Sequence, residues 1–225
     1  MDIDITPIDE KNVDIPFFLK FADEKLNKHI SSVKKSDYRK NAFTTSNKKN
    51  FKKFFEEIIP LKFFLEREKG IYSEIKYMSG DQKGDAILDN SITIEITKAQ
   101  HENHFAKRLD MLNHGRAFSA KNISNATSTS SPTKTQPYVY TNDEHIKDNA
   151  LYIRKAIEKK LKNNYPHGSI LIVSFESDTL MVDCYGDYSG LENQIMNFEK
   201  GIFSKIYIIE NLFNDNLQPK WQFML

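Results

Sequence analysis

The chain has 225 residues, and its 32 Lys and Arg against 31 Asp and Glu leave a formal net charge of +1. That length suits one domain with insertions, and 39% apolar with 28% charged residues lies outside the disordered class. The near-zero balance excludes a histone-like coat of positive charge, and the single cysteine, Cys184, excludes an intramolecular disulfide framework and a cysteine-based zinc site. A reducing cytoplasm is the expected compartment. The opening MDIDITPIDEKNVDI has no basic cap ahead of an apolar run, so it is not read as a signal peptide. No segment approaches the roughly 18 apolar residues of a membrane span.

Charge is segregated along the chain. Residues 1–24 hold seven acids and two lysines, whereas residues 31–53 hold eight bases and one acid, Asp37. Pro16 opens a predicted helix in which Phe17, Leu19 or Phe21, Leu26 and Ile30 turn toward a core. Residues 1–49 are accordingly read as a helical, charge-segregated extension, and residues 50–225 as an α/β domain. A second helical region starts near Ser46-Asn47 and ends at Gly70, with Pro60 kinking or restarting it. Short β-branched runs at 71–78, 84–88 and 91–97 read as strands. Residues 101–118 read as a helix, and the Ser/Thr/Asn-rich stretch 121–137 as a mobile insertion.

A strong helix follows. Thr141 and Glu144 form a capping-box pair, and Ile146, Ala150, Ile153, Ile157 and Leu161 keep one apolar stripe. Its other face is mostly basic: Lys147, Arg154, Lys155, Lys159, Lys160 and Lys162. Pro166-His167-Gly168 then turns the chain into a buried strand, SILIVSF. A helix over 189–203 leads into a last strand over 205–211, and Trp221 and Phe223 are expected to seal the core. The expected fold is α/β: a three-stranded antiparallel meander and parallel strands in one mixed sheet, flanked by helices.

The chemistry concentrates in the run from Gly84 to Lys98. Asp89-Asn90-Ser91 is turn chemistry between two strands, and it sets Leu88 against Ile92. The same register puts Asp85 opposite Glu95, with Ile92, Ile94 and Ile96 on one face and Thr93, Glu95 and Thr97 on the other. Asp89 is read as a turn residue. Two opposed carboxylates repel, and a divalent cation would remove that penalty. The pair would serve equally as the polar outer face of a hairpin.

The order helix, strand, strand with Gly84-Asp85, strand with Ile94-Glu95-Ile96-Thr97, helix, strand resembles the PD-(D/E)xK nuclease core. This restriction-endonuclease-like resemblance covers roughly residues 50–118 and 142–211, with E-x-T where the family keeps E-x-K. It implies that Asp85, Glu95 and the Ile96 carbonyl bind Mg²⁺ or Mn²⁺, and that a lysine orients the attacking water. The residue two after Glu95 is Thr97, which leaves three sources for that lysine. Lys98 could swing in through a β-bulge, Lys83 could lie opposite Thr97, or a basic residue could come from the 142–163 helix. A third acid from the preceding helix would be Glu56, Glu57, Glu66 or Glu68.

The expected activity is metal-dependent hydrolysis of nucleic acid, DNA ahead of RNA, with Lys48, Lys49, Lys52 and Lys53 contacting phosphates. A homodimer is one assembly that would cut both strands. The competing readings are a catalytically inactive nucleic-acid-binding protein on the same fold, and a protein–protein interaction module. No membrane partner is expected.

Overall fold

Asp14 ends the first strand, β1 (Asn12–Asp14), and caps the helix behind it: its Oδ1 accepts the Phe17 N–H at 2.6 Å. Helix α1 (Ile15–Ser32) follows at once. The computed structural model describes residues 3–32, 49–80, 83–99, 142–175, 188–210, 219 and 221–225. The predicted helix over 101–118, the insertion at 121–137, Lys48 and Cys184 lie outside the described residues. In α1 the buried positions are Ile15, Phe18, Phe21, Ala22 and Leu26, while Phe17, expected inward, is 45% exposed. The spacing 18, 22, 26 is the helical stripe, and Phe17 lies about 100° away from Phe18. Ile3, Ile5, Ile8 and Phe18 share one buried cluster with Phe54, Ile58 and Phe64, so these three isoleucines ahead of β1 belong to the main core.

The second helical region has three parts: α2 (Lys49–Lys53), a π-helical turn (Phe54–Ile58) and α3 (Ile59–Arg67). Proline explains the wide turn. Pro60 has no N–H to give, and the Ile59 N–H reaches back five residues to the Phe54 carbonyl. Lys62 on α3 is 2% exposed and holds Asp23 of α1 at 3.1 Å and Glu66 at 2.7 Å.

Strands β2 (Glu74–Tyr77), β3 (Ala86–Leu88) and β4 (Ile92–Ala99) form the antiparallel meander. Helix α4 (Asn142–Leu161) precedes β5 (Ser169–Phe175), which lies parallel to β4. Helix α5 (Ser189–Ile195) precedes β6 (Phe203–Glu210), parallel to β5, and β7 (Gln222–Met224) closes the edge antiparallel. One mixed seven-stranded sheet results, ordered β1 to β7 in chain order. Strands β1 and β7 are additions to the expected sheet; three residues each gave no readable alternation.

Period-two alternation divides the core. Ile94, Ile96, Ile170 and Ile172 pack under α1 and α3, whereas Leu171, Val173, Ile206 and Ile208 pack under α4 and α5. Ala150, Ile153 and Ile157 are buried in the second cluster, with Ile146 and Leu161 at its margin, so the predicted stripe of α4 is the one that faces the sheet. Trp221 is buried in the same cluster. Among the described residues, no helix is long and apolar enough to cross a membrane.

Candidate active site

The β3–β4 hairpin sets the site. Leu88 pairs with Ile92 and Ala86 with Ile94, as the turn chemistry predicts. Asp89 and Asn90 take φ of 46° and 57°, a left-handed pair within the three-residue loop 89–91, whose Ser91 N–H donates to the Leu88 carbonyl at 3.0 Å. Asp89 Oδ1 also accepts the Ser73 and Glu74 N–H groups, each at 2.9 Å, which makes Asp89 a structural turn residue.

The ladder ends one step short of the expected Asp85–Glu95 pair. Gly84 has φ of +90°, and a Cβ there would lie 2.5 Å from Thr93 Cγ2, so only glycine lets the strand begin this way. Asp85 is then fixed from both sides. Its N–H donates to the Ile94 carbonyl at 2.8 Å, and its carbonyl accepts the Met78 N–H at 2.9 Å. Its carboxylate replaces the missing ladder partner, with Oδ2 accepting the Ile96 N–H at 2.7 Å. Main-chain N–H and C=O of one strand residue point to the same neighbour, so the Ile96 carbonyl is directed at this same edge.

Glu95 is 7% exposed on the face covered by α4. Its Oε1 pairs with the Lys160 ammonium at the end of α4. A cleft of about 480 Å³ opens here, lined by Lys83, Gly84, Asp85 and Glu95 on one side and by residues 162–165 on the other. The structure therefore brings Asp85, Glu95 and Lys83 together, and adds Lys160.

Electrostatics mark this cleft. Burial, then the Glu95 charge, push the Asp85 carboxyl up to about 7, with the Ile96 N–H opposing them and Glu57 adding to the rise. Burial alone would pull the Lys160 ammonium down, but the hydrogen bond and charge of Glu95 outweigh it and hold it above the usual lysine range. Burial also raises Glu57, against the hydrogen bond that Tyr77 Oη donates to its Oε2 at 2.5 Å. Of the four candidate third acids, Glu57 is the one whose charge reaches Asp85; Glu56 pairs with Lys52 and Lys98, Glu66 with Lys62, and Glu68 with Lys205. Among the described residues, no group of three or more His, Cys, Asp or Glu is placed to hold a metal ion.

The other predicted residues lie apart. Ile94 and Ile96 face the α1–α3 side and Glu95 and Ala99 the opposite side, so the alternation runs unbroken and no bulge turns Lys98 inward. Lys98 sits on the opposite face of β4 from Glu95, 3.7 Å from Glu56. Lys83 reaches the cleft from the loop before Gly84 rather than from a ladder position opposite Thr97. Lys52 is exposed at 3.7 Å from Glu56, and Lys53 Nζ donates to the Ser79 carbonyl; neither lines the cleft. Of Lys49 only the backbone, in α2, is described.

Lys160 is one of five Lys and Arg residues on α4, and composition does not single it out. Its position next to Leu161, at the flank of the apolar stripe and at the end of the crossover into β5, does so once β4 and β5 are known to be neighbours. Compared with protein families, curated proteins and solved structures, the chain matches none.

Proposed function

We propose that the cleft is a phosphodiester-hydrolysing site of the restriction-endonuclease-like class, acting on nucleic acid with the help of a divalent cation. The observation that carries this reading is the buried Glu95 beside an Asp85 whose carboxyl is raised to about 7 in an open polar cleft. Such an excess of negative charge opposes folding and is relieved by a cation.

The donor set fits Mg²⁺ or Mn²⁺ on one condition. Two carboxylates and the Ile96 carbonyl are the protein's share, and water and a substrate phosphate supply the rest, as is common for Mg²⁺. When bound, the cation would lower the pKa of a water molecule and steady charge growing on the phosphate. Lys160 takes the role of the motif lysine missing at residue 97, holding Glu95 and presenting its ammonium to the attacking water. Gly84 and the hairpin turn keep Asp85 within reach of that pair. DNA is the first substrate class to test, RNA the second; a dimer that cuts both strands is compatible with this site.

A second reading has its own observation. Lys160 already neutralises Glu95 and the described residues supply no third acidic ligand. In that reading the ammonium stands where the cation would, and the cleft binds a nucleic-acid strand without cutting it.

Calorimetry with Mg²⁺ and Mn²⁺ on the wild type and on Asp85→Ala, joined to cleavage of single- and double-stranded DNA and RNA with Glu95→Ala as control, separates the two. Metal heat and cleavage, both lost in the variants, support the nuclease. Absence of metal binding in the wild type removes it, and nucleic-acid affinity that persists without cleavage favours the second reading.

A further inference from the structure

The wall opposite the two carboxylates is built from a short corner, residues 162–165, and its construction suits a ligand. Helix α4 ends at Leu161, and two main-chain bonds then fold the corner: Asn163 N–H to the Lys160 carbonyl at 3.0 Å, and Tyr165 N–H to the Asn163 carbonyl at 3.1 Å. Asn163 Nδ2 donates to Tyr165 Oη at 3.3 Å, and the Tyr165 ring rests on Phe203 with centroids 5.7 Å apart. An amide, a phenol and a lysine are thereby held facing an acidic pair.

Charge argues for an anion here. A phosphate entering beside Asp85 and Glu95 meets repulsion, and the Lys160 ammonium is already paired with Glu95. Lys83 and Lys162 reach the cleft from its two opposite walls, both are exposed, and among the described residues neither makes an ion pair. Two lysines thus line the cavity beside the two carboxylates, and both are open to a ligand. Asn163 and Asn164 add donors and acceptors of the kind that meet base edges, and Tyr165 adds a partly buried ring backed by a second ring.

We propose that this corner is the grip for a single nucleic-acid strand: Lys83 and Lys162 hold phosphates on either side of the site, and Tyr165 with Asn163 and Asn164 receives one unstacked base. The inference rests on the reading of Asp85 and Glu95 as a phosphodiester site, and it names the form of substrate that reading leaves open. The cleft of about 480 Å³ falls in the range of small-ligand pockets and accommodates one nucleotide unit. Base stacking on an aromatic side chain likewise requires a base freed from its own stack.

The test is binding without chemistry. A short fluorescein-labelled single-stranded oligonucleotide, as DNA and as RNA, and the matching duplex are titrated with the full chain in EDTA over a range of salt. The expected result is tighter binding of the single strands than of the duplex. Lys162→Gln and Lys83→Gln should each lower the slope of log affinity against log salt by about 0.7. Tyr165→Leu, which keeps apolar cover on Phe203, should weaken single-strand binding about fivefold to a hundredfold, and Tyr165→Phe should retain most of it. Preference between the DNA and RNA arms reports contact with the sugar, and either preference agrees with the grip. Unchanged affinity and salt slope in both lysine variants, or a duplex that binds as well as the single strands, would overturn it. The two readings fail separately. Loss of metal heat and cleavage with Lys162-dependent binding intact removes the nuclease and leaves the grip, whereas cleavage that persists unchanged in Lys162→Gln and Tyr165→Leu removes the grip alone.

Discussion

Asp85→Asn should make the metal-free protein more stable at pH 8 and leave it unchanged at pH 4. The carboxyl lies at about 7 in the folded chain against its ordinary 3.8, because it is partly buried beside Glu95. A raised acid binds its proton in the folded state while the unfolded chain has already released it, so stability falls as pH climbs from about 4 through 7. At about 1.4 kcal/mol for each tenfold change in proton affinity, the full rise corresponds to about 4 kcal/mol. Water in the open cleft screens part of this, and a gain of about 2 kcal/mol is the working figure. Asparagine keeps an oxygen for the Ile96 N–H and offers an amide hydrogen to Glu95, so the exchange removes charge and little else. Urea denaturation in EDTA at several pH values measures it, with an expected midpoint shift of about 1 M at pH 8 for an m near 2 kcal/mol/M. A variant less stable than the wild type at pH 8, or a difference that does not vary with pH, refutes the reasoning. Asp85 would then be an ordinary member of a hairpin's polar face, stabilising where it sits.

Lys160→Met leaves Glu95 buried without its cation, and a loss of about 2 kcal/mol at pH 7 is expected, most of it recovered in the double variant with Glu95→Gln. Under the proposed function, cleavage by the same single variant falls about a hundredfold, read in a single-turnover assay. Gly84→Ala forces a β-carbon onto Thr93 at a φ of +90°, and urea unfolding should show a loss of about 1–3 kcal/mol. Lys98→Ala, on the far side of β4, should leave cleavage within about twofold, because its charge works against Glu56 rather than in the cleft.

Local signals carried much of the fold. Turn residues with a demand for positive φ located the β3–β4 hairpin, and alternation of β-branched residues placed Glu95 and Ile96 on opposite faces of β4. The apolar run Ile170–Val173 announced a strand covered on both sides, and the burial of all of 169–175 agrees. The short edge strands β1 and β7 were not legible, because they exist only through pairing with an edge already formed. Helix α1 carries Phe17 and Phe18 side by side, and residue type alone does not say which one turns inward; packing against α3 and β2 decides for Phe18. The site shows the same division. Asp85 and Glu95 are neighbours through a hairpin of short sequence range, so turn chemistry reveals them. Lys160 meets Glu95 across 65 residues, and only the parallel placement of β5 beside β4 brings the end of α4 back over that position.

The position of the cleft follows from that same crossover. In sheets of parallel strands, ligands usually gather at the carboxyl ends, where loops leave the strands. Here the acids lie toward the amino ends of the parallel pair, since Glu95 aligns with Leu171 near the start of β5. The reason is that β3 runs antiparallel to β4 and ends its pairing there, which leaves an unladdered edge for Asp85 and for the Ile96 main chain. Helix α4 must descend to this same edge before β5 can begin, so its last turn and the corner after it form the opposite wall. A cation supplied from α4 reaches Glu95 across the cleft, whereas one at residue 97 would lie along the strand beneath the helix. Thr97 is therefore compatible with a working site, because the charge the strand lacks is provided by the element that the topology delivers there.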